Sequence, residues 1–165
     1  EIKNKNKSRN AEIKYENGLP ISIKAEPPYL NNDILSKEDL AKYGLNSSDP
    51  NSAFVVPGIY KNPCTENSKS FDGVRSYEIK MNKKSKKRKI TIDEIEHDVI
   101  LCAGSFNPIV GYEESDFLET AREMNSIKYW YKLFEKEKMW VPLKFSIDTP
   151  IGVLVVKAKK IITNQ

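Results

Sequence analysis

One histidine and two cysteines are the side chains of this chain best suited to acid–base or nucleophilic chemistry. His97 lies in the acidic run from Glu94 to Asp98, where a metal site or a general base would need a positioned partner. The chain has no second histidine, and in a strand Glu96 and Asp98 would point away from His97. Cys64 could act as a nucleophile beside His97, but only the residue types favour this pairing. We therefore predict no enzyme activity, no catalytic residue, no metal site and no cofactor.

The two cysteines have different neighbours in the sequence. Cys64 follows Asn62 and Pro63 in a predicted loop, whereas Cys102 lies in the apolar run from Val99 to Ala103. One possible bridge is not the disulfide framework of a small secreted domain. The sequence therefore predicts two free thiols and a reducing compartment, with Cys102 buried as a small hydrophobic residue.

Positive charge is concentrated in one short segment. The formal net charge is +4, and the segment from Lys80 to Lys89 supplies seven positive charges and no acid, so the remainder carries 4 − 7 = −3. We predict a basic loop at residues 82–89 as a candidate interaction site, formed by Lys83, Lys84, Lys86, Lys87, Arg88 and Lys89. A solvated tip or a contact with an acidic neighbour is one interpretation, and contact with nucleic acid or nuclear import is another. The lack of interleaved aromatic residues favours the first.

The longest predicted element is a helix from about Asp116 to Lys138, capped by Ser115. Acids gather at its start and lysines at its end, which matches the helix dipole. Its apolar positions recur every three or four residues, at Phe117, Ala121, Met124, Ile127, Tyr131 and Phe134. A second candidate interaction site contains aromatic residues outside this stripe, favouring a contact between subunits over a ligand pocket: Tyr129, Trp130 and Trp140.

The chain is predicted to consist of an arm and one domain, and the domain contains an irregular insertion. Residues 1–10 are polar and predict a flexible arm, and residues 11–165 predict a single α+β domain. Residues 26–76 are rich in turn signals and predict an irregular insertion with one short helix that Gly44 ends. Alternating or continuous apolar residues predict strands at Leu19–Ala25, Tyr77–Met81, Ile90–Ile92, Val99–Ala103, Val141–Ile147 and Val153–Lys159. No stretch reaches the roughly 20 apolar residues that a membrane helix needs, so we predict no membrane partner.

A family resemblance covers roughly residues 90–162. Thr120-Ala121-Arg122, the run from Tyr129 to Phe134 and the turn Thr149-Pro150-Ile151-Gly152 resemble the layout of Dit-like N-terminal domains of phage tail and baseplate proteins. This resemblance implies a tail-tube-like fold, an antiparallel β-sandwich or barrel flanked by one long helix. The insertion at 26–76 and the lysine-rich segment depart from the family pattern.

What the resemblance implies for function is a non-enzymatic structural component of a phage tail or baseplate. Such a component makes ring-type contacts with other subunits, as a homo-oligomer, in a virion assembled in the host cytoplasm. The alternative is a nucleic-acid-associated or organellar complex subunit that uses the basic loop at 83–89 on RNA or DNA.

Overall fold

A computed structural model of the chain describes residues 10–16, 19–26, 37–50 and 52–162. Most of the described residues lie in antiparallel strands, and the main sheet curls into a half-barrel. The strands are β1 (Asn10–Glu16), β2 (Leu19–Glu26), β3 (Val56–Pro57), β4 (Ser68–Phe71), β5 (Ser76–Ile92), β6 (Ile95–Val110), β7 (Ile127–Phe134), β8 (Met139–Thr149) and β9 (Gly152–Lys157). The α-helices are α1 (Lys37–Gly44) and α2 (Asp116–Arg122).

The main sheet is a meander in which strands β4 to β9 each pair antiparallel with the next strand in sequence. Strand β8 pairs with β7 on one side and with both β3 and β9 on the other. Strand β3 pairs with the first residues of β8, and β9 pairs with its second half. Strands β1 and β2 form a separate hairpin. The predicted antiparallel, strand-rich architecture is confirmed at this level.

The predicted insertion and arm are described in part. Helix α1 ends at Gly44 as expected. Residues 1–9 of the predicted arm lie outside the described residues, and Asn10 begins strand β1. The hairpin of β1 and β2 reaches the main sheet, because the hydroxyl of Tyr15 donates a hydrogen bond to the carbonyl of Phe71 at 3.1 Å.

The predicted long helix is wrong beyond its first two turns. Ser115 caps α2 as expected, since its Oγ accepts a hydrogen bond from the backbone amide of Leu118. The helix nevertheless ends at Arg122, and a turn through Asn125, with a φ of 69°, leads into β7. The backbone is already extended at Glu123, with φ −62° and ψ 146°, so the helix stops there, and the chain continues through the turn as a strand.

The reason for the error is an overlap of two periodicities. Ile127 and Tyr131 are four residues apart, so they share a face in a helix and also in a strand. In the structure Tyr129 is buried between them on the same side, which is the two-residue period of a strand. The aromatic residues of this run also favour a strand over a helix.

The basic segment at 82–89 is not a loop. Strand β5 continues through it, with Asn82 to Lys84 in a bulge and Ser85 onward paired with β6. The hairpin turn lies further along, at Asp93 and Glu94, whose φ values are 48° and 65°. A two-residue turn of this kind needs positive φ at both positions and usually contains glycine or asparagine. Asp93 and Glu94 are neither glycine nor asparagine, so the sequence did not predict a turn at this position.

The main core lies on one side of the sheet, here called the inner face, beneath α2 and two short 3-10 turns at Ser52–Phe54 and Pro63–Thr65. Its buried residues are Val56, Cys64, Ile79, Met81, Cys102, Ala121, Ile127, Tyr129, Tyr131, Trp140 and Ile147. A smaller cluster of Ile92, Val99 and Leu143 lies on the opposite side, the outer face, where Ile161 packs against it. Cross-strand partners share a face, so the register assigns every strand residue to one of the two.

Cys64 and Cys102 form a disulfide within the main core, with a distance of 5.1 Å between their Cα atoms. The prediction of two free thiols is therefore wrong, and so is the argument from it for a reducing compartment. Whether two cysteines bond depends on their separation in space, which their sequence neighbours do not report. The bond also removes Cys64 as a nucleophile for His97.

Candidate interaction surface

The six predicted basic residues are all exposed, but they do not form one site. Lys83 and Lys84 lie in the bulge, and the other four alternate along β5. Lys86 and Arg88 lie on the outer face, opposite residues of β6 that belong to that face. Lys87 and Lys89 lie on the inner face. The sheet register therefore divides the predicted site between two surfaces.

Of the two inner-face cations of β5, Lys87 lies opposite Ile100, whereas Lys89 has acids beside it. Lys89 lies opposite Asp98, and its Nζ is 2.6 Å from Oε1 of Glu96. The hydrogen bond that Lys89 donates to Glu96 raises the pKa of Lys89. An exposed pair like this one adds little to stability, but it does neutralise the charge locally.

The outer face instead carries five cations that we call the outer basic face: Lys86, Arg88, Lys132, Lys144 and Lys157. None of the five forms an ion pair in the part of the chain that the structure describes. Their cross-strand neighbours are apolar or basic. Lys128, on the same face, differs because its Nζ is 3.2 Å from Asp148 Oδ2. The outer basic face is thus a surface of uncompensated positive charge.

One row of the register crosses this face from β5 to β9, through Lys86, Leu101, Trp130, Lys144 and Lys157. Lys144 and Lys157 lie directly opposite each other, an unfavourable arrangement for like charges. The Nζ of Lys144 lies 4.3 Å from the centroid of the Trp130 ring, which is a cation–π contact. Lys144 therefore covers the ring of Trp130.

The predicted aromatic site is mostly interior. Tyr129 and Trp140 are buried in the main core, so they offer no surface to a partner, and Trp130 is half-buried. The indole of Trp140 donates a hydrogen bond to the carbonyl of Tyr60 at 2.9 Å. Tyr129 packs against the rings of Phe54, Phe145 and Tyr131. Their large apolar area stabilises the fold rather than an interface.

Tyr129 provides a stability prediction, because its buried hydroxyl has no hydrogen-bond partner among the described residues. The same burial raises the pKa of Tyr129. Burying a hydroxyl without a hydrogen-bond partner costs free energy, and removing the hydroxyl removes that cost. Tyr129→Phe is therefore expected to leave the free energy of unfolding unchanged or raise it by up to about 1 kcal/mol.

Urea denaturation of Tyr129→Phe beside Tyr15→Phe measures this effect. The hydroxyl of Tyr15 does have a partner, the carbonyl of Phe71. Its loss is expected to lower the free energy of unfolding by about 1 kcal/mol. A larger loss for Tyr129→Phe than for Tyr15→Phe would contradict our description of the core.

A second surface is the edge formed by β9. Ile151, in the turn before it, is 99% exposed, and the four residues from Val153 to Val156 are each half or more exposed. Leu154 and Val156 lie on the inner face, and Val153 and Val155 lie on the outer face. Within the described ranges, β9 pairs with β8 on one side and with no strand on the other. The edge is therefore apolar on both faces.

Sequence reasoning identified only half of this edge. It predicted a return strand at Val153–Lys159. It did not single out Val153 and Val155, although the run has no alternation of polar and apolar residues, which was the available signal.

The opposite edge of the sheet consists of β4 and, beyond Ile79, of the basic part of β5; its β4 part is covered. Ser48 forms a bridge with Ser70: its amide donates to the carbonyl of Lys69 at 2.9 Å, and its carbonyl accepts from the amide of Phe71 at 3.0 Å. The backbone groups of this short strand are thus partly satisfied from outside the sheet. Strand β9 is the more open of the two edges.

His97 lies half-buried on the outer face of β6, opposite Ile90, and it lines a cavity of about 400 Å³ with Ile92 and Ile161. Glu96 and Asp98 lie on the other face, as the strand alternation predicted. Over residues 10–16, 19–26, 37–50 and 52–162, no group of three or more histidines, cysteines and acids is placed to hold a metal ion. No helix in these ranges is long and apolar enough to span a membrane.

Comparisons of the chain with protein-family models, with curated proteins and with solved structures found no match. Function has to be inferred from the two surfaces, the outer basic face and the β9 edge. Neither surface brings together the acid, base or nucleophile of an active site. Both have the character of binding surfaces, one for charge and one for a second strand.

Proposed function

We propose that the chain is a non-enzymatic assembly subunit that joins a second copy of itself through β9. The observation that carries this proposal is the β9 edge, where the apolar run Val153–Val156 is exposed on both faces beside an unpaired strand edge. Unpaired backbone amides and carbonyls are a template for another strand. Natural edges are usually protected by charge, proline or a bulge, and this run has none of them.

The register of such a pair follows from symmetry. A two-fold axis normal to the sheet makes the strands antiparallel, and opposed residues must then share a face. An axis at Leu154 places Leu154 against its own copy, Val153 against Val155 and Gly152 against Val156. Each residue from Val153 to Val156 then meets an apolar side chain or glycine, and Lys157 lies at the end of the paired run, opposite Ile151 of the other copy. The sequence of β9 is thus complementary to itself.

The two edges of the sheet favour a dimer over a ring built by sheet continuation. A ring needs two different complementary edges, whereas an isologous pair needs one edge used twice. Ser48 occupies the β4 edge, and the rest of that side is the basic part of β5, whose lysines would repel a second copy, so among the described edges β9 is the one suited to pairing. Ring-type contacts would have to use other surfaces.

A phage tail or baseplate remains the assembly that we propose on the family resemblance alone. The part of that resemblance that assumed a helix is weakened, because Tyr129 to Phe134 lies in β7. The hairpin around Thr149–Gly152 still supports it. The disulfide adds a constraint, since the cytoplasm keeps thiols reduced. In a virion assembled there, Cys64 and Cys102 would oxidise only after release.

Native mass tests the dimer directly. The monomer has a mass of 18.9 kDa, so sedimentation equilibrium is expected to give 2 × 18.9 = 37.8 kDa at high protein concentration. Leu154→Lys would oppose two lysines at the axis and is expected to give a monomer. Met124→Lys, at an exposed position outside β9, is the control and should remain dimeric. A monomeric wild type, or a Leu154→Lys variant that stays dimeric, would contradict the proposal.

A further inference from the structure

We propose that the outer basic face binds a linear sulfated polysaccharide. The surface is defined by Lys86, Arg88, Lys132, Lys144 and Lys157, and it crosses the sheet from β5 to β9. Four strand spacings separate Lys86 from Lys157, which is about 19 Å of sheet. An extended polyanion lying across the strands could contact cations along this whole width.

The distribution of acids supports an anionic ligand. On the same face, two further lysines have carboxylate partners, Lys80 with Glu78 and Lys128 with Asp148. The outer basic face has none, and it even opposes Lys144 to Lys157. Like charges held together destabilise the free protein, and a bound anion would relieve that repulsion.

The same face is poorly suited to nucleic acid. Proteins that bind single strands combine charge with exposed aromatic rings on which bases stack. The aromatic ring in this row is that of Trp130, and Lys144 covers it at 4.3 Å. Sulfate groups, by contrast, need only charge and hydrogen-bond donors, which lysine and arginine supply.

The disulfide supports the same choice. A bond between Cys64 and Cys102 forms and persists in oxidising surroundings, such as the extracellular space. Sulfated polysaccharides are polyanions of that space. This inference does not depend on pairing through β9, because each copy carries a complete outer basic face.

The test uses a fluorescent heparin dodecasaccharide and two matched double variants. Lys86→Gln with Arg88→Gln removes two charges from the outer face, and Lys87→Gln with Lys89→Gln removes two from the inner face of the same strand. All four side chains are exposed, so folding should be retained. The outer variant is expected to weaken binding about ten-fold or more and to lower the salt slope by about two. The inner variant should change affinity by less than about three-fold.

Three results would overturn the proposal. One is an absence of heparin binding by the wild type at physiological salt. Another is an equal loss of affinity in both double variants, because the binding would then be diffuse charge attraction. The third is equal or tighter binding of a single- or double-stranded DNA oligonucleotide of matched charge, which would assign the face to nucleic acid. Weak binding of unsulfated heparosan of the same length, in contrast, would support it.

Discussion

Replacing both Cys64 and Cys102 with alanine is expected to lower the free energy of unfolding by about 4 kcal/mol. The two residues are 38 positions apart, so the disulfide closes a long loop and removes much of the conformational freedom of the unfolded chain. Both side chains are fully buried between the 3-10 turn at Pro63–Thr65 and strand β6. Because most domains are stable by only about 5–15 kcal/mol, this loss would leave little in reserve.

Urea denaturation of the oxidised protein, the reduced protein and the double variant measures the effect. Reduction of the wild type should give a loss similar to that of the variant, and the variant itself should not respond to reducing agent. Mass spectrometry after alkylation of the native and the denatured protein provides the control for the bond. Two alkylated cysteines in the unreduced, denatured wild type would disprove the disulfide.

Tyr131→Asp and Met124→Asp are expected to have opposite outcomes. Tyr131 is 1% exposed on the inner face, so an aspartate there would bury a charge without a partner. We expect a loss of more than about 4 kcal/mol and no soluble native protein. Met124 is 67% exposed in the turn between α2 and β7, and its replacement should change stability by less than about 0.5 kcal/mol.

Soluble yield and the near-ultraviolet circular dichroism spectrum of both variants distinguish a helix from a strand in this segment. A helix from Asp116 to Lys138 would place both residues on one apolar stripe, so both variants would fail. The structure predicts that only Tyr131→Asp fails. Failure of Met124→Asp would restore the helical interpretation of this segment.

Much of the fold was predictable where the pattern had one meaning. Leu143 to Asp148 alternate between apolar and polar, and Thr149–Gly152 supplies a turn, so the strands and the turn of the last hairpin were predicted correctly. The expected single buried face was wrong, because a bulge opposite Trp130 and Tyr131 places Leu143 in the outer cluster and Ile147 in the main core. The cap at Ser115 and the end of α1 at Gly44 were also correct. The failure at β7 arose because Ile127 and Tyr131 fit both periodicities, and only packing against β6 and β8 decides between them.

The sequence identified the basic residues of the candidate site but not the face of the sheet on which each of them lies. Exposure of Lys86 and Lys87 follows from their charge, and strand alternation places them on opposite faces, whereas the face that each one occupies depends on the register of β5 after its bulge at Met81–Ser85. A shift of one residue would exchange the two faces. Lys144 and Lys157 are far from this segment in sequence, so only the sheet order brings them to the same face.

Two-fold pairing through β9 would make the molecule bivalent. An axis normal to the sheet leaves both outer faces on the same side, with Lys157 of each copy beside the junction. A polymer long enough to cross the junction would engage the second copy as an intramolecular event, at a high effective concentration. Affinity for the polymer and affinity between the two copies would then be linked reciprocally. Bound polymer would stabilise the dimer, and dilution that separates the copies would lower the affinity for the polymer.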